Sequence, residues 1–175
     1  MPFQSTATRI WKRLTPHERL AAATRFWEAP PEDVLASALS AIVKARKLRP
    51  QVARVLPADA RARYLGSILG PGESVAASLL VSLHLGERRP LLVAFLDALA
   101  LPHEDGVLKE EAFSSRPTVE QARDAVKKLV ETFPPREIET YLNTLWLQDP
   151  EHWQALEQCQ EWIPRPEDQA PASDS

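Results

Sequence analysis

Four histidines (His17, His84, His103 and His152) and one cysteine, Cys159, are the side chains of this 175-residue chain best suited to hold a metal or act as a nucleophile and its base. A helix presents two imidazoles to one metal when they stand about four residues apart, and no two of these histidines do. A di-iron bundle needs Glu-x-x-His pairs on facing helices, and no glutamate stands three residues before a histidine. Asp149 does precede His152 by three, but Asp149-Pro150-Glu151 already reads as a helix start. The sequence therefore calls for no metal and no cofactor. Cys159 and His152 share a helix face, yet seven residues of helix rise about 10.5 Å, against the roughly 3 Å of a nucleophile–base hydrogen bond. A thiol on an apolar stripe is expected to pack. Gly-rich phosphate loops, Gly-x-Ser-x-Gly elbows and Walker patterns are absent.

Two polar residues interrupt the most apolar stretches: His84 within 75–85 and Asp97 within 91–101. These are the candidate catalytic residues. In an antiparallel hairpin turning near Arg88, Asp97 falls level with Ser78 or Leu79 and His84 with Leu92, so the two do not pair directly. Asp97 is expected to accept a hydrogen bond from Ser78 or Ser82, because a buried carboxylate without partners is costly. The sharper alternative makes Asp97 an acid/base group in a cleft.

Charge offers a second kind of chemistry. The net charge is −3, but residues 1–90 carry 14 basic and 7 acidic side chains, whereas 91–175 carry 7 and 17. Within 44–63 stand Lys44, Arg46, Lys47, Arg49, Arg54, Arg61 and Arg63, opposed only by Asp59. Arg46, Arg49, Arg54, Arg61 and Arg63 are candidates for a polyanion or an acidic protein surface. Single-stranded nucleic-acid binders interleave such cations with aromatics, and here Tyr64 alone is adjacent. Tyr141, Trp146, Trp153 and Trp162 cluster near the C-terminus. Most should be core, and any exposed together would mark a partner site.

The elements that must position these groups are helices. Ala (24) and Leu (23) dominate while Gly contributes five, a helix-forming mixture. Thr15-Pro16 with Glu18, and Thr118 with Gln121, have capping-box spacing. Prolines at 31, 57, 71, 90 and 135 also sit at expected starts, and Gly70 and Gly86 at stops. Apolar residues recur at the helical period, as in Val119, Ala122, Val126, Leu129, Val130 and Phe133. Helices are expected near 6–14, 16–28, 31–47, 50–56, 57–69, 73–85, 90–101, 118–133, 135–147 and 150–162, with no strand. Gly66 lies inside one of them, at a propensity cost of about 1 kcal/mol relative to Ala.

The fold class is all-α: antiparallel helical hairpins in one domain over 1–163, arranged as a compact multi-helix bundle or a short right-handed array. Residues 102–117 read as a surface connection, and 164–175 as a disordered, acidic and proline-rich tail. A shift of 40 aligns Pro31 with Pro71, Ala36 with Ala76, Leu39 with Leu79, Arg49 with Arg89, Pro50 with Pro90 and Leu56 with Leu96. Candidate repeat units are therefore 31–70 and 71–110, with a degenerate third at 117–150. In layout this resembles HEAT or armadillo units of about 40–47 residues, a resemblance that implies a helical array.

No apolar run is long enough to span a bilayer and no secretory signal is evident, so no membrane contact and a cytoplasmic location are expected. The leading functional expectation is a non-catalytic interaction or scaffold protein binding another protein. One alternative is nucleic-acid binding through the 44–63 segment. Another is a small-ligand carrier or enzyme with a cleft near His84 and Asp97. No oligomeric state is assigned.

Overall fold

The computed structural model describes residues 6–164. Its fold is all-α. The helices are α1 (Ala7–Arg13), α2 (Pro16–Glu28), α3 (Glu32–Arg46), α4 (Pro50–Val55), α5 (Ala58–Ser67), α6 (Glu73–Leu85), α7 (Arg89–Ala98), α8 (Val119–Val130) and α9 (Pro135–Gln148). Two 3₁₀ segments, Glu110–Ser114 and Gln154–Glu161, and a small hairpin of β1 (His103–Glu104) with β2 (Val107–Leu108) complete it. Beyond Pro164, the expected tail lies outside the described residues.

The chain divides into two compact units, Gln4–Arg89 and a second that begins at Pro90. The charge division of the sequence falls at the same place, so the basic surplus belongs to the first unit and the acidic surplus to the second. The candidate repeat 71–110 runs across that boundary, with α6 on one side and nearly all of α7 on the other. Where the first candidate repeat carries α5, the second carries the β1–β2 hairpin.

In the N-terminal unit α2 packs against both α5 and α6, and α1 against α6. The Thr15 hydroxyl accepts from the Glu18 N–H at 3.2 Å while the Glu18 carboxylate accepts from the Thr15 N–H at 2.6 Å, a reciprocal cap that contributes about 1 kcal/mol. The other Glu18 oxygen takes the buried Arg88 guanidinium. At the start of α1, the free N–H groups of Ala7 and Thr8 are bound by the Glu73 carboxylate from α6. Burial alone would raise the Glu73 pKa, but these donors and the Thr8 hydroxyl hold it below the ordinary carboxylate value.

Gly66 explains its own place inside a helix. A methyl group there would sit 3.1 Å from the Arg19 carbonyl oxygen and 3.3 Å from the Leu20 Cα, both backbone atoms of α2. The missing side chain lets the two helices touch. The contact is fastened by Arg19 Nε, which donates to the Gly66 carbonyl at 3.0 Å, and by Trp11 Nε1, which donates to the Ile68 carbonyl at 2.8 Å.

The C-terminal unit gathers around Phe95 of α7. Its ring meets Tyr141 of α9 edge-on at 5.6 Å and lies tilted against Trp153 at 6.1 Å. Thr118 and Gln121 form the expected capping box on α8. Asp149 also caps, accepting from the His152 N–H at 2.9 Å. The chain then runs through a turn into a 3₁₀ segment, not the α-helix expected over 150–162. The buried Trp153, Leu156 and Cys159 recur every third residue, the period of a helix with three residues per turn.

The 102–117 segment departs from expectation too, since it holds the hairpin. Asp105 and Gly106 both have positive φ, +50° and +89°, as a two-residue type I′ turn requires. A Cβ on Gly106 would fall 1.9 Å from the Leu92 side chain, so the turn lies flat on α7.

Gly66→Ala should destabilise the N-terminal unit by about 1–3 kcal/mol through overpacking, although alanine is the better helix former. Urea unfolding of the full chain, followed by tryptophan fluorescence, measures this; a gain in stability would show that α5 and α2 need no such closeness.

Candidate functional site

His84 and Asp97, the two catalytic candidates, have unlike surroundings. His84 lies on α6 and is 2% exposed. Burial first, and the Arg88 charge second, push its pKa down to about 3, so the ring is a neutral core group at physiological pH. Asp97 is on the surface, with 68% of its side chain exposed. Its partner is His103, not Ser78 or Ser82 as the sequence suggested. Asp97 Oδ1 stands 3.0 Å from His103 Nε2, while the Ser82 hydroxyl donates to the Ser78 carbonyl of its own helix.

His103 is the residue that sequence reasoning passed over. Its Nδ1 accepts from the Gly106 N–H at 3.2 Å. A neutral imidazole that accepts at Nδ1 carries its proton on Nε2, and that proton is donated to Asp97. Both ring nitrogens are thus engaged in holding the hairpin to the end of α7, and neither is left to take a substrate proton. The local signal was Asp105-Gly106, a strong two-residue hairpin signature.

Cys159 is buried, and burial first, with the nearby Glu139 second, pushes its thiol pKa well up. A thiol held protonated is a poor nucleophile. His152 is buried between Phe113 and Trp153, at ring distances of 5.2 and 4.8 Å. Among the described residues no three of His, Cys, Asp and Glu gather as metal ligands, and no helix is long and apolar enough to cross a membrane.

No family model, curated protein or solved structure matches the chain.

The aromatic candidates divide. Tyr141 and Trp153 are core residues, 1% and 2% exposed, because their rings close around Phe95; neither is a surface contact. Trp146 and Trp162 are half-buried.

The five arginine candidates divide as well. Arg46 lies over the Tyr64 ring at 4.7 Å and donates to the Ser67 hydroxyl at 2.9 Å. Arg61 covers the Trp27 ring at 4.7 Å, and Arg63 pairs with Asp59 at 3.2 Å. These three are already engaged within the unit. Arg49 and Arg54, with Lys44 and Lys47, are exposed and have no ion-pair partner among the described residues. No carboxylate occurs between residues 44 and 58.

The α3–α4 corner that carries these four cations also has an apolar feature that the sequence did not single out. On α4, Ala53 is buried and faces inward, while Val52 is 41% and Val55 80% exposed. Three residues apart, the two valines share a face of the helix, separated by about 4.5 Å of rise. The α3–α4 corner is therefore a small aliphatic ridge in a positive field. Two open grooves also exist. One, about 550 Å³, lies along α2 beside Leu20, Arg25, Leu85 and Arg89; the other, about 360 Å³, lies beside Arg116, Val119 and His152. Their charged walls are largely paired: Arg25 with Glu28, His17 with Glu87 and Arg116 with Glu151.

The buried and the clamped histidine can each be tested. Unfolded chain takes up a proton on His84 near pH 6.5, whereas folded chain resists it down to about pH 3. The stability that depends on a neutral His84 is complete above pH 6.5 and declines as pH falls, by at most about 1.4 kcal/mol per pH unit. Urea midpoints between pH 6.5 and 5 should show this slope, and His84→Leu should level it; a slope that survives the substitution places the acid loss elsewhere. For His103, ¹⁵N shifts of the neutral ring should report the Nε2–H tautomer in wild type and in Asp97→Asn alike, because the Gly106 N–H persists. An Nδ1–H tautomer in wild type would contradict the clamp.

Proposed function

We propose that the protein is a non-catalytic helical interaction module that binds another protein through the α3–α4 corner. The observation that carries this reading is Val55: a large aliphatic side chain left 80% exposed near Val52, on a corner with four cations that have no ion-pair partner among the described residues. Burying such a ridge against a partner stabilises the complex at about 25 cal/mol per Å², and the surrounding charge steers an acidic surface toward it. The reactive groups support the same view: the Cys159 thiol and the His84 ring are buried in their uncharged forms, and both nitrogens of His103 are engaged.

Nucleic-acid binding is the second reading, favoured by Lys44, Lys47, Arg49 and Arg54. It leaves the exposed valines without a role, and Tyr64, the aromatic nearest the basic segment, is covered by Arg46.

Replacing Val52 and Val55 together by serine should change the unfolding free energy by no more than about 1 kcal/mol, since both are surface positions. The variant should lose the protein that the wild-type chain retains from its native host in affinity capture. Equal retention by both chains would overturn the assignment of this corner.

A further inference from the structure

We infer that the segment received by the α3–α4 corner is an acidic amphipathic helix, whose aliphatic side chains pack on Val52 and Val55 while its carboxylates meet Lys44, Lys47, Arg49 and Arg54. This rests on the reading of the corner as a protein-binding surface and names the chemistry of its partner.

Charge complementarity sets the sign. From Lys44 to Ala58 the chain carries five cationic side chains and no anionic one. Arg46 places its guanidinium on Tyr64 and Ser67, which leaves four exposed cations with no ion-pair partner among the described residues. Two belong to the last turn of α3 and its end, one is the residue before α4, and one lies within α4. Three precede the valines in sequence and the fourth, Arg54, stands between them, so cations belong to the end of α3 as well as to α4.

Spacing sets the conformation. The valines repeat at three residues on a helix, about 4.5 Å along its axis. Side chains on one face of an extended strand recur about 6.6 Å apart, whereas those at i, i+3 and i+4 of a helix recur about 4.5–6 Å apart. A helix therefore matches the ridge in register and brings carboxylates on both flanks of its apolar row. The small size of the ridge implies modest affinity, with the charges governing the rate of encounter more than the final strength.

The test is a fluorescence-anisotropy titration of the full chain with three labelled probes at low and high salt. The first is a synthetic peptide with leucine at helical i, i+3, i+4 and i+7 positions and glutamate elsewhere. The second has the leucines replaced by serine, and the third is an oligothymidylate of similar charge. The leucine peptide should bind, weaken as salt rises, and weaken about tenfold or more with either Val52→Ser/Val55→Ser or Arg49→Ala/Arg54→Ala. Equal binding of the serine peptide would overturn the amphipathic partner, because charge alone would then suffice. Tighter binding of the oligothymidylate would overturn it in favour of nucleic acid. If no peptide binds while capture of a host protein still depends on the two valines, the acidic helix is wrong and the interaction surface stands. If neither depends on them, both readings fall.

Discussion

At the crossing of α5 on α2 two backbones come into contact, and the N-terminal unit is built outward from that point. Gly66 permits the approach, the Arg19 side chain bridges it to the Gly66 carbonyl, and Trp11 reaches the Ile68 carbonyl just beyond. Arg19 also donates to the Leu14 carbonyl, so one guanidinium satisfies acceptors at the end of α1 and within α5. Because α2 also packs on α6, a shift at Gly66 would be transmitted to the helix that carries His84. Close packing leaves little slack for such a shift.

Against that close-packed interior, several charged side chains hold the molecule itself together. Glu73 binds the start of α1, Glu18 serves both Thr15 and Arg88, and Asp97 with His103 fastens a hairpin. Arg46 and Arg61 lie on aromatic rings. Around α4, Lys44, Lys47, Arg49 and Arg54 are exposed with no ion-pair partner among the described residues, as are Arg9 and Lys12 elsewhere in the unit. Of the seven cations between residues 44 and 63, these four remain without an ion pair or a ring contact among the described residues, on the corner that also carries the two exposed valines.

Much of the fold was legible in the sequence because helix starts depend on neighbours a few residues away. Thr15 with Glu18 and Thr118 with Gln121 form the caps their spacing implies, and Pro16, Pro50 and Pro135 open helices. Two misreadings have local causes. Asp105-Gly106 makes a hairpin whose strands are two residues each, too short for alternation to register. The 153–162 stretch repeats by three, and its apolar residues fit an α-helix nearly as well on paper. The site was less legible, because exposure depends on which side of α4 turns inward. Nothing in Pro50–Val55 distinguishes Ala53 from Val52 and Val55 except the packing of α3 against α4. The arginines were visible as a group, but their division between stacking, pairing and free positions depends on Tyr64, Trp27 and Asp59 as placed by the fold.

The sole cysteine of the chain is sealed inside the C-terminal unit, with no accessible surface. A thiol reagent can reach it only when the groups that cover it move apart, so the rate of labelling counts those openings. Cys159 is thus a built-in gauge of local opening, available in the wild-type chain with no probe to be introduced.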